Sequence, residues 1–262
     1  MEFLRHIFAF DSNSPLLFTQ FYFWAFFALV YAVFAMIMEM GNKARKQEGK
    51  KVRLHLRNVF LMAVSWFFYY KTSGLFLLIL IFVTVSDWLI AQRIYKESGI
   101  RNPESGKSNY NAKLWLALSI LIDLGLLCYF KYAYFFTNVV NDLLGTEFAV
   151  FDLFAYIGNG FSDSGRFMVD KIILPVGISF YLFQVMSYTI DVYRGQVKPV
   201  RNILDFGFYV SFFPGLVAGP IVRANEFIPQ LYKPFCLSRK LAGLAVFWIL
   251  NGLIKKIVLS DY

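Results

Sequence analysis

The sequence predicts an all-α, polytopic transmembrane protein that contains one re-entrant or broken-helix segment. Three observations lead there. The 262 residues are 58% hydrophobic and 20% aromatic, with a mean hydropathy of +0.54, well above the roughly 45–50% apolar usage of soluble domains. Apolar runs long enough to cross a hydrocarbon core of about 30 Å alternate with short polar loops. Finally, the stretch between Leu174 and Arg223 carries Pro, Gly, Gln, Ser, Asp and Arg at membrane depth, where such residues are tolerated only if protein or a wet cavity surrounds them.

The first element runs from about Leu16 to Met40, with Phe21, Tyr22, Phe23 and Trp24 as an aromatic belt at its outer end. The loop after it, Gly41–Arg57, holds Lys43, Arg45, Lys46, Lys50, Lys51, Arg53 and Arg57 against Glu48, so the positive-inside rule makes it cytoplasmic and the N-terminus external. Asn58–Tyr70 and Leu75–Ala91, joined by Lys71–Gly74, read as a tight helical hairpin. The next loop, Arg93–Lys113, is again basic and so cytoplasmic, as an even number of crossings requires.

Leu114–Phe136 is a further span that exits outward through Tyr129, Phe130, Tyr132, Tyr134, Phe135 and Phe136. Thr137–Asp170 carries Asp142, Glu147, Asp152, Asp163 and Asp170 against Arg166, which suits an external loop, and Gly158–Gly160 marks a turn in it. Ile172–Tyr193 returns inward to Arg194, Lys198 and Arg201. The run Ile203–Val222 has basic residues on both sides and is interrupted by Pro214, Gly215, Gly219 and Pro220. We therefore expect it to enter from the cytoplasm and return there, because a proline in a helix interior costs roughly 3 kcal/mol. Leu241–Leu259, with Asn251, Gly252, Lys255 and Lys256, is the last apolar run. No internal repeat or linker appears, so residues 1–262 read as one membrane domain. The opening residues lack a signal-peptide layout, and the N-terminus is expected to be retained.

A net charge of +9 reflects cytoplasmic loops and implies no nucleic-acid partner. Cys128 in a span and Cys236 in a loop form neither a disulfide nor a metal framework, and no metal site is expected. Gly177-Ile-Ser179-Phe-Tyr181 is not a nucleophile elbow, because Tyr181 stands where the second glycine is required. His6 and His55 fall in polar flanks on opposite sides of the membrane. Gln184, Ser187 and Asp191 recur at helical spacing and share one face, which fits either a lined cavity or interhelix hydrogen bonding. For Asp191 a neutralising Arg194 favours packing. Asp87 and Asp123 lie deep in apolar spans, where a basic or hydroxyl partner is expected. Gly215-Leu-Val-Ala-Gly219 is a small-xxx-small match that permits close backbone approach.

Read together, Leu174-Pro175-Val-Gly177-Ile-Ser179-Phe-Tyr181, Gln184, Ser187-Tyr188, Asp191-Val-Tyr-Arg194-Gly195, Phe212-Phe-Pro214, Ala218-Gly-Pro-Ile221, Arg223, Phe227-Ile-Pro-Gln230 and Asn251-Gly-Leu-Ile-Lys255-Lys256 resemble the membrane-bound O-acyltransferase family. They look most like its bacterial branch, which acts in alginate O-acetylation and D-alanine transfer to teichoic acid. The resemblance covers nearly the whole chain, which reads as the N-terminal portion of such a fold.

The resemblance implies an O-acyltransferase of the cell (inner) membrane. It would move an acyl group, acetyl above all, from a cytoplasmic thioester (acetyl-CoA or a carrier-protein thioester, with no bound cofactor) to an exported polysaccharide or cell-wall polymer. The lipid bilayer, the acyl donor and a polysaccharide or secreted acetyltransferase are its implied partners. The family's histidine lies in a segment expected beyond Tyr262, so no catalytic residue is assigned and the 262 residues alone are expected to be inactive. Gln184, Ser187, Tyr188, Asp191, Arg223 and Gln230 are candidates for the donor tunnel or funnel, and Pro175, Pro214, Gly215, Gly219 and Pro220 for structural breaks. The rival reading is a non-catalytic transport or scaffold subunit of a polysaccharide acetylation machinery.

Overall fold

The structure is a computed structural model that describes residues 21–40, 47–98, 110–154, 156, 171–216, 219–233 and 238–260. The expectations for His6, Cys236, the Gly158–Gly160 turn, Asp163 and Asp170 lie outside those residues. Among the described residues there are helices and no strands. The helices are α1 (Phe21–Met40), α2 (Gln47–Ser73), α3 (Leu77–Glu97), α4 (Tyr110–Leu127), α5 (Ala133–Leu144), α6 (Ile178–Tyr193), α7 (Ile203–Ser211), α8 (Phe213–Leu216), α9 (Ala224–Leu231) and α10 (Arg239–Ile254). Four helical stretches among the described residues are long and apolar enough to cross a membrane: Phe21–Met38, His55–Glu97, Tyr110–Leu144 and Arg239–Leu259. The protein is an all-α, multi-pass membrane protein.

The chain forms two compact units, one of residues 1–74 and 225–262 and the other of residues 75–224. In the first, α1 packs on α2 through rings: Phe23 meets Phe68 edge-on at 6.0 Å between centroids, and Phe26 lies 5.8 Å from Phe67. The sequence placed residues 41–57 in a loop, but α2 begins at Gln47. Lys, Arg and Gln are good helix formers, so the basic stretch extends the helix instead of ending it.

Arg57, counted on sequence as a loop cation, is buried. Its guanidinium donates to the carbonyls of Leu231 and Lys233, at the end of α9, and to Asn58 Oδ1. The Leu231 carbonyl is one of the acceptors that a helix end leaves unmatched, and Lys233 lies two residues beyond it. α2 ends at Gly74, whose φ of 60° is left-handed and suits a residue without Cβ. The boundary between the two units falls there. In α10 none of the described side chains is buried.

The second unit is built on α3, α4 and α6, which pack on one another, with α7 against α3 and α6. α4 does not stop at Phe136 as expected. It passes through a π-helical turn, Cys128–Tyr132, into α5, which ends at Leu144 where Gly145 caps it with φ 62°. Residues 137–144 keep apolar Val139, Val140, Leu143 and Leu144 in helical register, so the polar residues between them do not end the helix. Tyr129, in the π turn, donates to Asp152 Oδ1 at 3.0 Å and accepts from the Leu153 amide at 2.8 Å, which ties the following segment back to the helix.

α6 is shorter than the Ile172–Tyr193 run. Pro175 precedes it, Gly177 takes φ 72° at its start, and it has 16 residues, about 24 Å at 1.5 Å per residue. Its end is a glycine cap: Gly195 has φ 72°, and the Asp191 carbonyl receives the amides of Gln196 and Val197.

Candidate functional site

The polar stripe of α6 meets α7. Gln184 donates from Nε2 to the carbonyl of Tyr209 at 3.0 Å, and Ser187 donates to the Gln184 carbonyl at 2.8 Å. Both side chains lie against the Tyr209 hydroxyl, and Asp191 is on the same face. The Tyr209 ring is fully buried beside Phe206 and Tyr188. Its hydroxyl donates to the carbonyl of Val222 at 3.0 Å. A buried tyrosine must find an acceptor for its O–H, and here the acceptor lies thirteen residues further along the chain.

That bond defines the path of the broken segment. α7 stops at Ser211, the chain leaves helical geometry at Phe212, and the one-turn α8 holds Pro214 and Gly215. The Gly219 amide then bonds back to the Gly215 carbonyl at 3.0 Å. A Cβ on Gly219 would stand 2.9 Å from that carbonyl oxygen, whereas one on Gly215 would meet nothing within 4 Å. The close approach that the glycine pair suggested is therefore within the turn, between the two glycines' own backbones. Pro220 follows, and Val222 comes to rest on Tyr209, so the chain has doubled back. Arg223 emerges exposed from this return arm at the start of α9.

Tyr188, another tunnel candidate, is fully buried, and its hydroxyl accepts the Val200 amide at 2.9 Å. The Val200 carbonyl receives Trp88 Nε1 and Gln92 Nε2, each at 2.8 Å, from α3. Tyr188 thus anchors the Gly195–Val200 loop. Asp191 is buried, and among the described residues no ion pair joins it to Arg194, which leaves the expected neutralisation unmade. Gln230 belongs to the other unit and donates to the Glu226 carbonyl of its own helix at 2.8 Å. His55 is exposed.

The deep carboxyls form a second polar cluster. Asp87 on α3 accepts from Ser119 Oγ on α4 at 2.5 Å, and Thr189 on α6 lies 3.3 Å from that hydroxyl. Asp123, one turn after Ser119, faces Asp87 carboxyl to carboxyl. Among the described residues no ion pair reaches either group. Asp87 thus has the hydroxyl partner expected from sequence, whereas both Asp123 oxygens are buried beside it without a hydrogen-bond partner, so the partner expected for Asp123 is not made.

The chain is similar to named proteins. It is 35% identical over 206 residues to the probable alginate O-acetylase AlgI of Azotobacter vinelandii, covering 78% of this chain and 36% of that protein. It is 33% identical over 206 residues to the probable alginate O-acetylase AlgI of Pseudomonas aeruginosa, covering 78% of this chain and 35% of that one. A peptidoglycan O-acetyltransferase of Helicobacter pylori matches at 28% over 231 residues, or 38% of its length. These similarities are consistent with the resemblance to the membrane-bound O-acyltransferase family seen in the sequence. It spans about a third of the length of the curated relatives it matches. No family model matches, and no solved structure does.

Sequence reasoning passed over Tyr209 and the buried role of Arg57. Tyr209 lies inside an apolar run, and its signal was its phenol, which cannot be buried without an acceptor. Arg57 looked like a topology charge, and only its position beside the apolar start of Asn58–Tyr70 hinted otherwise.

Proposed function

We propose that this protein works in a membrane-bound O-acyltransferase that passes an acetyl group from a thioester donor on the cytoplasmic side to a hydroxyl of an exported polysaccharide or cell-wall polymer. In that transfer the thioester C–S bond breaks, an ester C–O bond forms, and the hydroxyl proton ends on the released thiol. The reading is supported by similarity to relatives named for alginate and peptidoglycan O-acetylation. One feature of the geometry carries it here: the helix that breaks at Ser211 doubles back, held by the Tyr209–Val222 bond, and presents Arg223 as an exposed cation at the end of the return arm. Freed backbone groups of such a break need a protein-lined or wet site, and a guanidinium is suited to an anionic donor such as acetyl-CoA, whose phosphates it can bind in bidentate fashion.

In this reading the protein sits in the inner membrane with its N-terminus outside, and its partners are the bilayer, the donor and the polymer or a secreted acetyltransferase. The test is acetyl transfer from labelled acetyl-CoA by membranes carrying the complete protein, with alginate and peptidoglycan fragments as acceptors. Label appearing in polymer, and falling in Arg223→Ala, supports the reading. Passage of label across the membrane with no ester formed would leave a transport subunit instead.

A further inference from the structure

We infer that Tyr209 is a positioning residue for Arg223, and that its hydroxyl aims the cation at the anionic part of the thioester donor. The inference rests on the donor reading of Arg223 given above. Its basis is one unbroken set of contacts inside residues 75–224. Gln184 on α6 holds the Tyr209 backbone from one side at 3.0 Å, and Gln184 and Ser187 sit against its hydroxyl. The fully buried ring packs against the Phe206 and Tyr188 rings, with centroids at 6.1 and 6.5 Å. The hydroxyl then donates to the carbonyl of Val222, one residue before Arg223.

Upstream, the return arm is tied by the Gly219 amide to Gly215. Pro220 brings no N–H to the arm. The Tyr209 bond therefore fixes the peptide unit from which Arg223 departs. Its side chain is exposed while the next residue, Ala224, is buried. An exposed cation on an arm anchored by a fully buried phenol is pre-aimed, and pre-aiming removes part of the ordering cost of binding. The polar face of α6 then acts through Tyr209, by seating the hydroxyl that seats the arm.

The experiment is a double-mutant cycle on the complete protein, with acetyl-CoA as the probe and its dissociation constant, together with the KM against kcat split, as readouts. Tyr209→Phe removes the hydroxyl alone. We expect it to weaken acetyl-CoA binding about tenfold, the size of one lost hydrogen bond, to raise KM with kcat nearly kept, and to have no further effect once Arg223→Ala is present. Should Tyr209→Phe not fold, Ser187→Ala, which loosens the seat and keeps the ring, is expected to act in the same direction but more weakly. If Arg223→Ala weakens binding but Tyr209→Phe leaves it unchanged, or adds to it independently, the positioning role is wrong and the donor reading stands. If Arg223→Ala leaves binding unchanged, the donor reading fails and the positioning role fails with it.

Discussion

The side-chain amide of Gln184 donates to the main-chain carbonyl of Tyr209 at 3.0 Å, so a long helix with a polar face grips a short helix two residues before it ends. That carbonyl sits in the last turn of α7, where intrahelical donors run out. The glutamine supplies the missing donor, which explains why an apolar helix carries an amide at this point. Gln184→Leu should lower the thermal midpoint in detergent, by an amount matching about 1–3 kcal/mol for an unsatisfied acceptor. Gln184→Glu, which turns an acceptor toward an acceptor, should be worse than Leu. Equal midpoints for all three proteins would show that the contact contributes nothing.

The two glycines of the turn differ in what they tolerate. Gly219→Ala would drive its Cβ into the Gly215 carbonyl, at 2.9 Å, and backbone cannot step aside. Gly215→Ala meets nothing within 4 Å. Fluorescence size-exclusion profiles of tagged variants should show loss of the monodisperse peak for Gly219→Ala and its retention for Gly215→Ala. The opposite order would mean that the turn is built differently.

Arg57 should be intolerant of lysine. Its guanidinium reaches Asn58 Oδ1 and the carbonyls of Leu231 and Lys233 at once, a fan of donors that a single ammonium on a thinner stem cannot reproduce. Arg57→Lys and Arg57→Ala are both expected to destabilise by several kcal/mol, the usual size when one member of a buried charged network is lost. A lysine variant with the parent midpoint would make the charge, and not the fork, the feature that matters.

For the carboxyl pair, Asp123→Asn should be tolerated better than Asp123→Leu, because an amide N–H can donate to Asp87 Oδ2, which is buried without a partner. The leucine leaves Asp87 with Ser119 alone, and a loss of about 1–3 kcal/mol is expected. Thermal melts of the two variants decide it, and leucine outlasting asparagine would show that packing and not the bond holds α3 to α4 there.

Orientation can be read by thiol labelling in a background with Cys128 and Cys236 replaced by Ser. A membrane-impermeant maleimide on intact cells should mark a cysteine at Glu147, which is exposed just beyond Gly145, and spare one at Gln47 or Ser105. The reverse pattern would invert the topology argued from charge.

The all-helical class, the apolar runs and the existence of a broken segment were legible in the sequence, because hydropathy and proline chemistry act locally: a bilayer sets the length of a span, and a proline or a left-handed glycine interrupts a helix whatever surrounds it. The stripe Gln184, Ser187, Asp191 was legible for the same reason, as three residues on one helical face. Helix ends were read less well. Residues 47–57 and 137–144 are polar enough to resemble loops, yet helix propensity and continued apolar register carried α2 and α5 through them. What only tertiary structure decided were the partners. Asp87 meets Asp123 from another helix, Arg57 caps a helix end about 170 residues away, and the Tyr209 hydroxyl reaches Val222 across a turn. Each of these is a buried polar group whose energy depends on finding one complementary atom. Which atom that is follows from how the helices pack, a property of the folded chain that no local pattern contains.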